Sequence, residues 1–299
     1  MSLAVILVNW RNEKETAACA RAVRGWQALA PQVLVVDNQS TPATRQALEP
    51  AADVLISTPV NLGYAGGNNI GIKHSLSAGI KYILLLNSDA EISEHGVHRM
   101  IETLEGNPTI FILGPVIYEK RNGRMQHLLG GRNIARYLST RIPAQGCNLR
   151  DIPGFPLHHV DYISGTVLLA RSKVFEEIGF LDEEYFFSGE IADFCKRARD
   201  AGHGVCVDLE TEAGHNVDMV SSRLRETLHA YYTLRNRMLY VKKHHASQRL
   251  SYYSLWTMLG GCQIANALRQ GNLPKARAIV LALADAYAGR YGDQNARFI

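Results

Sequence analysis

The sequence predicts an α/β protein with a doubly wound sheet in its first part and a helical tail. Short apolar runs alternate with longer amphipathic segments, which is the pattern of parallel strands joined by crossover helices. Each run ends in polar residues, and such sheets bind ligands at the carboxyl ends of their strands. After His215 only helical patterns follow. We therefore expect a ligand site at one edge of the sheet and a separate helical extension.

The first half of the chain predicts strands and helices in a regular order. Strands are predicted at residues 3–8, 33–36, 54–56 and 83–86, with crossover helices at residues 13–29 and 65–78. Residues 118–156 are rich in Gly, Arg, Asn and Pro, and we expect them to form a long loop over a cleft.

The second half predicts three further elements of the domain and then the tail. A strand is expected at residues 162–170, a helix at residues 189–201 and a last strand at residues 204–208, with His215 in the loop that follows. Tail helices are predicted at residues 223–244, 251–269 and 274–291, with breaks at Gly260-Gly261 and Gly271-Asn272.

The composition excludes several classes of protein. The 299 residues, 46% hydrophobic and 20% charged, are typical of an ordinary folded protein. The net charge of +4 is too small to indicate binding along a nucleic acid backbone. Five scattered cysteines without a C-x-x-C pair fit a reducing compartment. Because the sequence has neither a basic n-region at its start nor a run of about 20 apolar residues, we expect a cytoplasmic protein without a membrane span.

Residues at the ends of the first two predicted strands are candidates for binding a nucleoside. Asp37 directly follows an apolar run, where its carboxylate can accept a hydrogen bond from a base or ribose; a helix cap or turn is the alternative. Trp10 ends the first strand, where its ring suits either stacking on a base or filling the core.

Residues 61–69 combine three glycines and three asparagines in front of a helical pattern. Glycine lets a backbone approach a ligand closely, and asparagine supplies both donors and acceptors. A close crossing of a helix over a strand also requires small residues. Both interpretations stay open from these residues alone.

Acidic residues and one histidine are candidates for metal binding and proton transfer. Asp89 ends the strongest strand, where one carboxylate can hold Mg²⁺ or Mn²⁺ together with diphosphate oxygens; an N-cap near Ser93 is the alternative. Glu190 and Asp193 share one face of a predicted helix and can supply a general base, unless that face is simply solvated. His215 can complete a metal site or bind diphosphate.

In their order, these motifs resemble those of the family 2 glycosyltransferases of the GT-A fold, in particular the bacterial rhamnosyltransferase-like branch. The resemblance covers about residues 1–245. It rests on the strings at residues 5–10, 35–40, 61–69, 85–89, 164–166, 179–183, 186–197 and 231–236.

The resemblance implies a GT-A-type doubly wound mixed sheet whose first half is a Rossmann-like nucleotide-binding unit. It places the catalytic domain at residues 1–215, with the nucleotide sugar bound by residues 1–90 and the acceptor by residues 91–215. Residues 216–299 would be the helical C-terminal extension.

The resemblance also implies an activity. The protein would be a metal-dependent inverting hexosyltransferase that moves a sugar from dTDP-rhamnose or a UDP-hexose to a hydroxyl of a saccharide or lipid-linked acceptor. Its product would belong to a cell-surface polysaccharide or glycolipid. A carboxylate would deprotonate the acceptor while the metal-bound nucleoside diphosphate leaves.

Single residues receive roles from the same resemblance. Mg²⁺ or Mn²⁺ would bind at Asp89 and His215. The nucleotide sugar would be bound by Val8, Trp10, Asp37, Asn61, Gly66, Gly67, Asn68, Ser88 and His215.

One position departs from the family pattern on the acceptor side. The family carries its Asp base where this chain has Ile191. Either Glu190 or Asp193 takes over that role, and we expect Glu190, or the protein is a catalytically degenerate homologue that binds a nucleotide sugar without turning it over. Asn87 likewise replaces the first carboxylate of an Asp-x-Asp motif. A nucleotidyltransferase is disfavoured because residues 9–12 contain no glycine-rich triphosphate loop.

The helical tail combines aromatic and basic residues. Tyr252 and Trp256 lie near Lys242, Arg249 and Arg269 in the sequence, as in helices that lie on an anionic membrane surface. Such contact would suit a lipid-linked acceptor and would place the protein on the inner face of the plasma membrane. Packing against the catalytic domain or in a homodimer is the alternative.

Overall fold

A mixed sheet with helices on both faces forms the first part of the computed structural model, which describes residues 2–121, 124–144, 147–216 and 223–298. Within these residues the strands are β1 Leu3–Asn9, β2 Gln32–Asn38, β3 Val54–Thr58, β4 Tyr82–Leu86, β5 Ala90–Glu91, β6 Ile110–Arg121, β7 Arg124–Gly131, β8 Arg141–Pro143, β9 Leu157–His159, β10 Val167–Arg171 and β11 Gly204–His215.

Six helices accompany the sheet and three follow it among the described residues. They are α1 Glu13–Arg24, α2 Pro42–Leu48, α3 Gly63–Ser77, α4 Glu94–Gly106, α5 Ser172–Ile178, α6 Glu190–Asp200, α7 Arg223–His244, α8 Arg249–Arg269 and α9 Leu273–Ala288. Single 3₁₀ turns lie at Glu49–Ala51, Leu149–Asp151, Ala246–Gln248 and Asn295–Arg297.

The sheet order is β3-β2-β1-β4-β10-β6-β11-β5. The first four strands are parallel, β10 runs antiparallel to both of its neighbours, and β6 and β11 are parallel to each other. The carboxyl ends of β1, β2 and β4 therefore meet at one edge. This topology confirms the predicted doubly wound mixed sheet.

Both faces of the central strands are buried. Alternate residues of β1 belong to two separate cores: Leu3, Val5 and Leu7 face one, and Ala4 and Ile6 face the other. Helices cover each face, so a central strand needs apolar residues at consecutive positions. This burial explains why the first four strands could be predicted from short continuous apolar runs.

The predicted long loop at residues 118–156 is partly wrong. β6 continues to Arg121 and pairs antiparallel with β7, which in turn pairs with β8. Pairing with a neighbouring strand satisfies the backbone N–H and C=O groups of these residues, although apolar and polar side chains do not alternate regularly along them. A two-stranded ribbon with a third short strand therefore occupies much of the predicted loop.

Other boundaries also differ from those predicted. The strand predicted at residues 162–170 begins only at Val167 and ends at Arg171. β11 continues past Asp208 to His215 because it pairs with both β6 and β5, so His215 ends a strand instead of lying in a loop. α8 runs without a break through Gly260-Gly261, since Gly260 is covered by Leu234 and Leu283 of the neighbouring helices. α1 ends at Arg24, five residues before the predicted end.

The three C-terminal helices form their own core and pack against the sheet domain. Buried side chains of α7, α8 and α9 make this core together with Tyr185, Phe186 and Ala135. Trp256 is 1% exposed, and its indole N–H donates to the carbonyl of Ala135 at 3.0 Å. Among the described residues, no helix is both long and apolar enough to cross a membrane.

Candidate active site

Asp37 lies at the carboxyl end of β2 and is almost fully buried. One carboxylate oxygen accepts a hydrogen bond from Asn9 Nδ2 at 2.8 Å, and the other accepts from Thr44 Oγ1 at 2.6 Å. The cap of α2 is Thr41, so Asp37 is not the helix cap that its position also suggested. Its carboxylate joins β1, β2 and α2 at the edge where a ligand of the sheet would bind.

Trp10 and Val8 lie at the end of β1, and both are partly exposed. The indole N–H of Trp10 donates to Gln39 Oε1 at 3.2 Å, and the Arg11 guanidinium lies 5.1 Å from the ring centre. Trp10 belongs to none of the hydrophobic cores formed by the described residues. Its ring is thus available at the edge of the sheet, as expected of a stacking residue.

The loop that begins at Asn61 is held by Asn38, which sequence reasoning did not single out. Asn38 Nδ2 donates to Asn61 Oδ1 at 2.9 Å and to the carbonyl of Gly63 at 3.0 Å, while its Oδ1 accepts from the Leu62 N–H at 2.8 Å. Asn61 Oδ1 also accepts from the Gly63 N–H at 2.9 Å. These bonds fix the turn that leads into α3 beside Asp37.

The glycines of α3 allow the helix to lie directly on the sheet. A Cβ atom at Gly67 would lie 2.7 Å from Val8 Cγ1, and one at Gly71 would lie 2.6 Å from Ile6 Cγ2. At Gly66 the contact would be with Leu62 Cβ at 2.7 Å. The close crossing of helix over strand, left open by the sequence, is therefore present.

The asparagines of α3 are engaged within the protein. Asn68 Nδ2 donates to the Tyr64 carbonyl at 2.9 Å, one helical turn earlier. Asn69 exchanges two hydrogen bonds with the backbone of Leu181 and donates a third to Glu183 Oε1 at 2.9 Å. The second half of the motif thus connects α3 to the segment before α6.

Asp89 and His215 meet because β5 pairs with the end of β11. His215 Nε2 lies 3.4 Å from Asp89 Oδ1, and its Nδ1 lies 3.4 Å from Glu119 Oε2. Glu119 is in turn paired with Arg141. Burial lowers the pKa of His215, but hydrogen bonds and charge from the two carboxylates outweigh burial and raise the pKa to about 9.

A cleft of about 380 Å³ opens beside Ser88 and Asp89, between α1 and the chain from β4 to β5. Cys19 of α1 and Trp26, which follows that helix, line its other side. Val8, Trp10 and Asp37 do not line this cleft. The structure thus brings Ser88, Asp89 and His215 together, and it keeps the residues proposed for the nucleoside in a separate group along β1 and β2.

Glu190 is the first residue of α6, and its side chain is 6% exposed. Its Oε2 is buried and has no hydrogen-bond partner among the described residues. Burial raises the pKa of Glu190 to about 7; its own backbone N–H opposes that effect, and the charge of Asp193 adds to it. Such a carboxylate is suited to accept a proton near neutral pH.

Asp193 has a different environment one turn later. Its Oδ2 accepts from Arg197 Nε at 2.8 Å, and its Oδ1 lies 2.7 Å from His244 Nε2. Burial raises the pKa of Asp193, but the hydrogen bond from His244 and the charge of Arg197 outweigh burial and lower it. His244 comes from α7, so this contact could not be inferred from sequence.

Ile191 occupies the position at which the family pattern carries a carboxylate. Its side chain is 5% exposed and belongs to the core shared by α3 and α6. A Cβ atom at Gly165 would lie 3.1 Å from Ile191 Cγ1 and 3.5 Å from Tyr64 Oη. Tyr64 itself donates to the Gly165 carbonyl at 2.7 Å. Residue 191 is thus packed between two of the motifs.

Comparison with known proteins identifies related sequences. Residues 4–179 match the model of glycosyl transferase family 2. The chain is 26% identical over 279 residues to the low-salt glycan biosynthesis hexosyltransferase Agl10 of Haloferax volcanii, covering 89% of this chain and 84% of that protein. It is 23% identical over 273 residues to the dTDP-rhamnosyl transferase RfbF of Shigella flexneri, covering 87% of each.

Solved structures share the fold at low sequence identity. The structure of GalNAc-T7 with UDP, GalNAc and Mn²⁺ matches with a TM-score of 0.59 and 14% identity, over 81% of this chain and 48% of that one. The mannosyltransferase PcManGT of Pyrobaculum calidifontis, in complex with GDP-Man and Mn²⁺, matches with a TM-score of 0.59 and 12% identity, over 96% and 87%. The mixed sheet is thus a GT-A fold.

Proposed function

The chain belongs to glycosyl transferase family 2, and from that membership we propose that it is a metal-dependent inverting glycosyltransferase. It takes a sugar from dTDP-rhamnose or a UDP-hexose and joins it to a hydroxyl of a saccharide or lipid-linked acceptor during synthesis of a cell-surface polysaccharide or glycolipid. The observation that carries the proposal is the buried Glu190 carboxylate with its unpartnered oxygen beside the donor motif.

The nucleoside is proposed to bind along the ends of β1 and β2. Trp10 offers a partly exposed ring to the base, with Val8 and Asp37 beside it. Asn61 lies in the turn before α3, and Gly66, Gly67 and Asn68 lie in its first turns. Because Gly67 has no side chain, α3 packs directly on Val8, close to the strand end where the ribose is proposed to bind. Ser88 lies where the diphosphate would extend toward Asp89.

The metal is proposed to bind at Asp89 and His215. Because the carboxylates of Asp89 and Glu119 outweigh burial and raise the pKa of His215 to about 9, the imidazole would release a proton from Nε2 when the ion binds. Among the described residues no three His, Cys, Asp or Glu side chains form a complete metal site. Two ligand side chains nonetheless fit Mg²⁺ or Mn²⁺ in this setting, because such ions take several of their ligands from water and from substrate phosphates. The bound ion would offset the charge of the departing nucleoside diphosphate. Glu119, on the far side of His215, would hold the imidazole ring in orientation.

Glu190 is proposed to be the general base. Its carboxylate takes the proton of the acceptor hydroxyl while the hydroxyl oxygen bonds to the anomeric carbon and the bond from that carbon to the phosphate oxygen breaks. The anomeric configuration therefore inverts. Asp193, whose two oxygens are engaged by Arg197 and His244, is proposed to orient α6 instead of taking the proton.

The test is a comparison of Glu190→Gln with Asp193→Asn. Nucleoside diphosphate release is measured with the nucleotide sugar that, with Mn²⁺, raises the melting temperature most. We expect Glu190→Gln to reduce release by at least about 100-fold, and Asp193→Asn to retain most of it. Release by the unchanged protein should fall as the pH drops below about 7, where Glu190 becomes protonated. Loss in Asp193→Asn with activity kept in Glu190→Gln would refute the assignment.

A second candidate function is a nucleotide-sugar-binding homologue without turnover. The observation that favours it is Ile191, an apolar residue packed in the core where the family carries its base. An assay of nucleoside diphosphate release distinguishes this binding protein from an active glycosyltransferase. A protein of this second kind would be stabilised by a nucleotide sugar with Mn²⁺ and would release no nucleoside diphosphate.

The extension is proposed to rest on an anionic membrane at the inner face of the plasma membrane, which would bring the site to a lipid-linked acceptor. On α8, Leu250, Met258 and Leu268 are 85%, 60% and 51% exposed and share one face of the helix. Residues 227–284 contain no Asp or Glu and eight Lys or Arg residues. A second copy of this chain would bring like charge to that face, whereas anionic lipid complements it.

A further inference from the structure

The backbone segment directly before Glu190, residues 184–189, is held from outside by an unbroken series of hydrogen bonds. Each of five consecutive carbonyls lies within hydrogen-bonding distance of a donor elsewhere in the fold. The Glu184 carbonyl accepts from Gly292 N and the Phe186 carbonyl from Tyr64 N, both at 2.8 Å. The carbonyls of Tyr185, Phe187 and Ser188 lie 2.8, 2.8 and 2.6 Å from Asn236 Nδ2 and share its two N–H groups. Four of these five contacts come from the C-terminal extension.

Asn236 contributes most of them, and Arg235 fixes its orientation. Arg235 Nε donates to Asn236 Oδ1 at 2.9 Å, so the amide nitrogen of Asn236 must face the segment. The Arg235 guanidinium also donates to the carbonyls of Tyr185 and Gly292, at 3.1 and 2.7 Å. Both side chains are fully buried, and the guanidinium lies 4.7 Å from the ring centre of Tyr232.

The held backbone has an unfavourable conformation. Phe186 and Ser188 have φ angles of 60° and 69°, in the left-handed region that residues other than glycine rarely adopt, and Gly189 follows with φ 104°. Such a conformation persists only where surrounding contacts over-determine it. Here those contacts are the hydrogen bonds from Asn236 and Arg235. Since Glu190 is the next residue, the position of its carboxylate depends on this backbone.

The same segment also contacts the donor motif. The Phe186 carbonyl accepts from Tyr64 N, and a Cβ atom at Gly63 would lie 2.3 Å from that carbonyl oxygen. The segment is therefore fitted between the start of α3 on one side and α7 on the other. Displacing it would move Glu190 relative to the donor site.

We propose that Asn236, oriented by Arg235, is a positioning residue for the transfer step: it holds the backbone of residues 184–189 so that the Glu190 carboxylate points at the acceptor hydroxyl. The C-terminal extension is then part of the catalytic apparatus and not only an appendage. This inference rests on the proposed role of Glu190. It assigns a catalytic consequence to α7, a helix of the C-terminal extension.

The test is the Asn236→Asp variant, which keeps the shape of the side chain and places an acceptor-only carboxylate against three carbonyls. We expect kcat of nucleoside diphosphate release from dTDP-rhamnose or UDP-glucose to fall about 100-fold, and the Kd of dTDP or UDP with Mn²⁺ to change less than about threefold. Amide hydrogen exchange of Tyr64 and of residues 185–190 should become faster. If Asn236→Asp does not fold, Asn236→Ser, which removes the amide and adds no charge, takes its place.

The matched control is Tyr231→Phe, which removes a buried hydrogen bond to Asp285 Oδ2 at 2.6 Å within the extension and keeps the ring beside Arg235. It should lower the melting temperature and leave kcat and the exchange of residues 185–190 unchanged. An equal loss of kcat in both variants, or none in Asn236→Asp, would overturn the proposal. Full activity of Glu190→Gln would instead refute the base assignment, while the exchange measurement still tests whether Asn236 holds the segment.

Discussion

At the scale of single residues, Glu190 and Asp193 differ more than their spacing on one helix face suggests. Asp193 is surrounded by Arg197 and His244, which stabilise its ionised form. Glu190 is buried close to Tyr64 and Asp193, and one of its oxygens has no hydrogen-bond partner in the part of the chain that the structure describes, so its ionised form is disfavoured. Two carboxylates one turn apart thus have opposite pKa shifts, as is common where a site needs one proton acceptor and one fixed anion.

The raised pKa of Glu190 predicts a pH-dependent cost in stability. Its pKa rises from 4.5 to about 7 on folding, so the folded state favours the neutral form. The cost of ionisation appears as the pH rises above 4.5 and is complete above about 7, where it amounts to about 3 kcal/mol. Glu190→Gln should therefore gain stability relative to the unchanged protein between pH 5 and pH 8.

Urea denaturation of Glu190→Gln and of the unchanged protein, at pH 5 and at pH 8, measures this gain. The change in the stability gap between the two pH values does not depend on any pH-independent cost of the Gln amide. Asp193→Asn is the control: because the pKa of Asp193 is lowered from 3.8, its contribution to stability is already complete at pH 5, so the stability gap of this variant should stay constant between pH 5 and pH 8. A stability gap for Glu190→Gln that stays constant across the range would contradict the raised pKa.

At the scale of elements, α3 shows how one motif can serve both packing and binding. Gly67 and Gly71 remove side chains that would collide with Val8 and Ile6 of β1. Asn69 ties the same helix to the chain before α6. The glycines let α3 lie close to the strand end where the nucleoside is proposed to bind, so packing and ligand approach require the same small residues.

Two glycine-to-alanine changes inside helices should have opposite effects. Gly71→Ala places a Cβ atom 2.6 Å from the buried Ile6 side chain, and we expect a net destabilisation of about 1–2 kcal/mol after the gain in helix propensity. Gly261→Ala in α8 meets nothing within 4 Å and should stabilise the protein by up to about 1 kcal/mol. Chemical denaturation of both variants checks the signs, and a stabilising Gly71→Ala would contradict the close crossing.

At the scale of the whole molecule, the extension differs in charge from the sheet domain that it contacts. The eight basic residues between positions 227 and 284 are Arg235, Arg237, Lys242, Lys243, Arg249, Arg269, Lys275 and Arg277. Four of them are used internally: Arg235 and Arg237 are buried, Lys243 pairs with Asp182 and Glu184, and Lys275 pairs with Glu226. Arg249 and Arg269 stand at the two ends of α8, beside its exposed apolar face.

Vesicle binding tests the proposed membrane contact. The protein should float with vesicles of phosphatidylcholine and phosphatidylglycerol at low salt, and less so at high salt or with phosphatidylcholine alone, because screening weakens attraction to anionic lipid. Met258→Asp with Leu268→Asp should abolish flotation, whereas Met125→Asp, an exposed apolar residue of β7, should not. A stable dimer in light scattering without vesicle binding would favour the homodimer instead.

The positions of β1, β2, β3 and β4 could be predicted from sequence, because these parallel strands are short continuous apolar runs and the polar residues that follow them are local features. The ribbon of β6 and β7 and the full length of β11 could not, since their pairing partners are distant in the chain. The division at residue 215 stays a prediction. This division separates the predicted helical extension from the sheet domain. Residues 184–189 nevertheless accept hydrogen bonds from residues on both sides of it, from Tyr64 before position 215 and from Asn236 after it.

The sequence by itself determined the family, the α/β sheet and the candidate carboxylates, because each depends on residues within one segment. Only the tertiary structure decided how those carboxylates differ. Burial surrounds Glu190 Oε2 without providing a hydrogen-bond partner among the described residues, whereas His244 from α7 engages Asp193. Environment and charge at a side chain depend on residues far away in the chain, so spacing alone could not distinguish the two, nor could it show that Asn236 holds the backbone before Glu190.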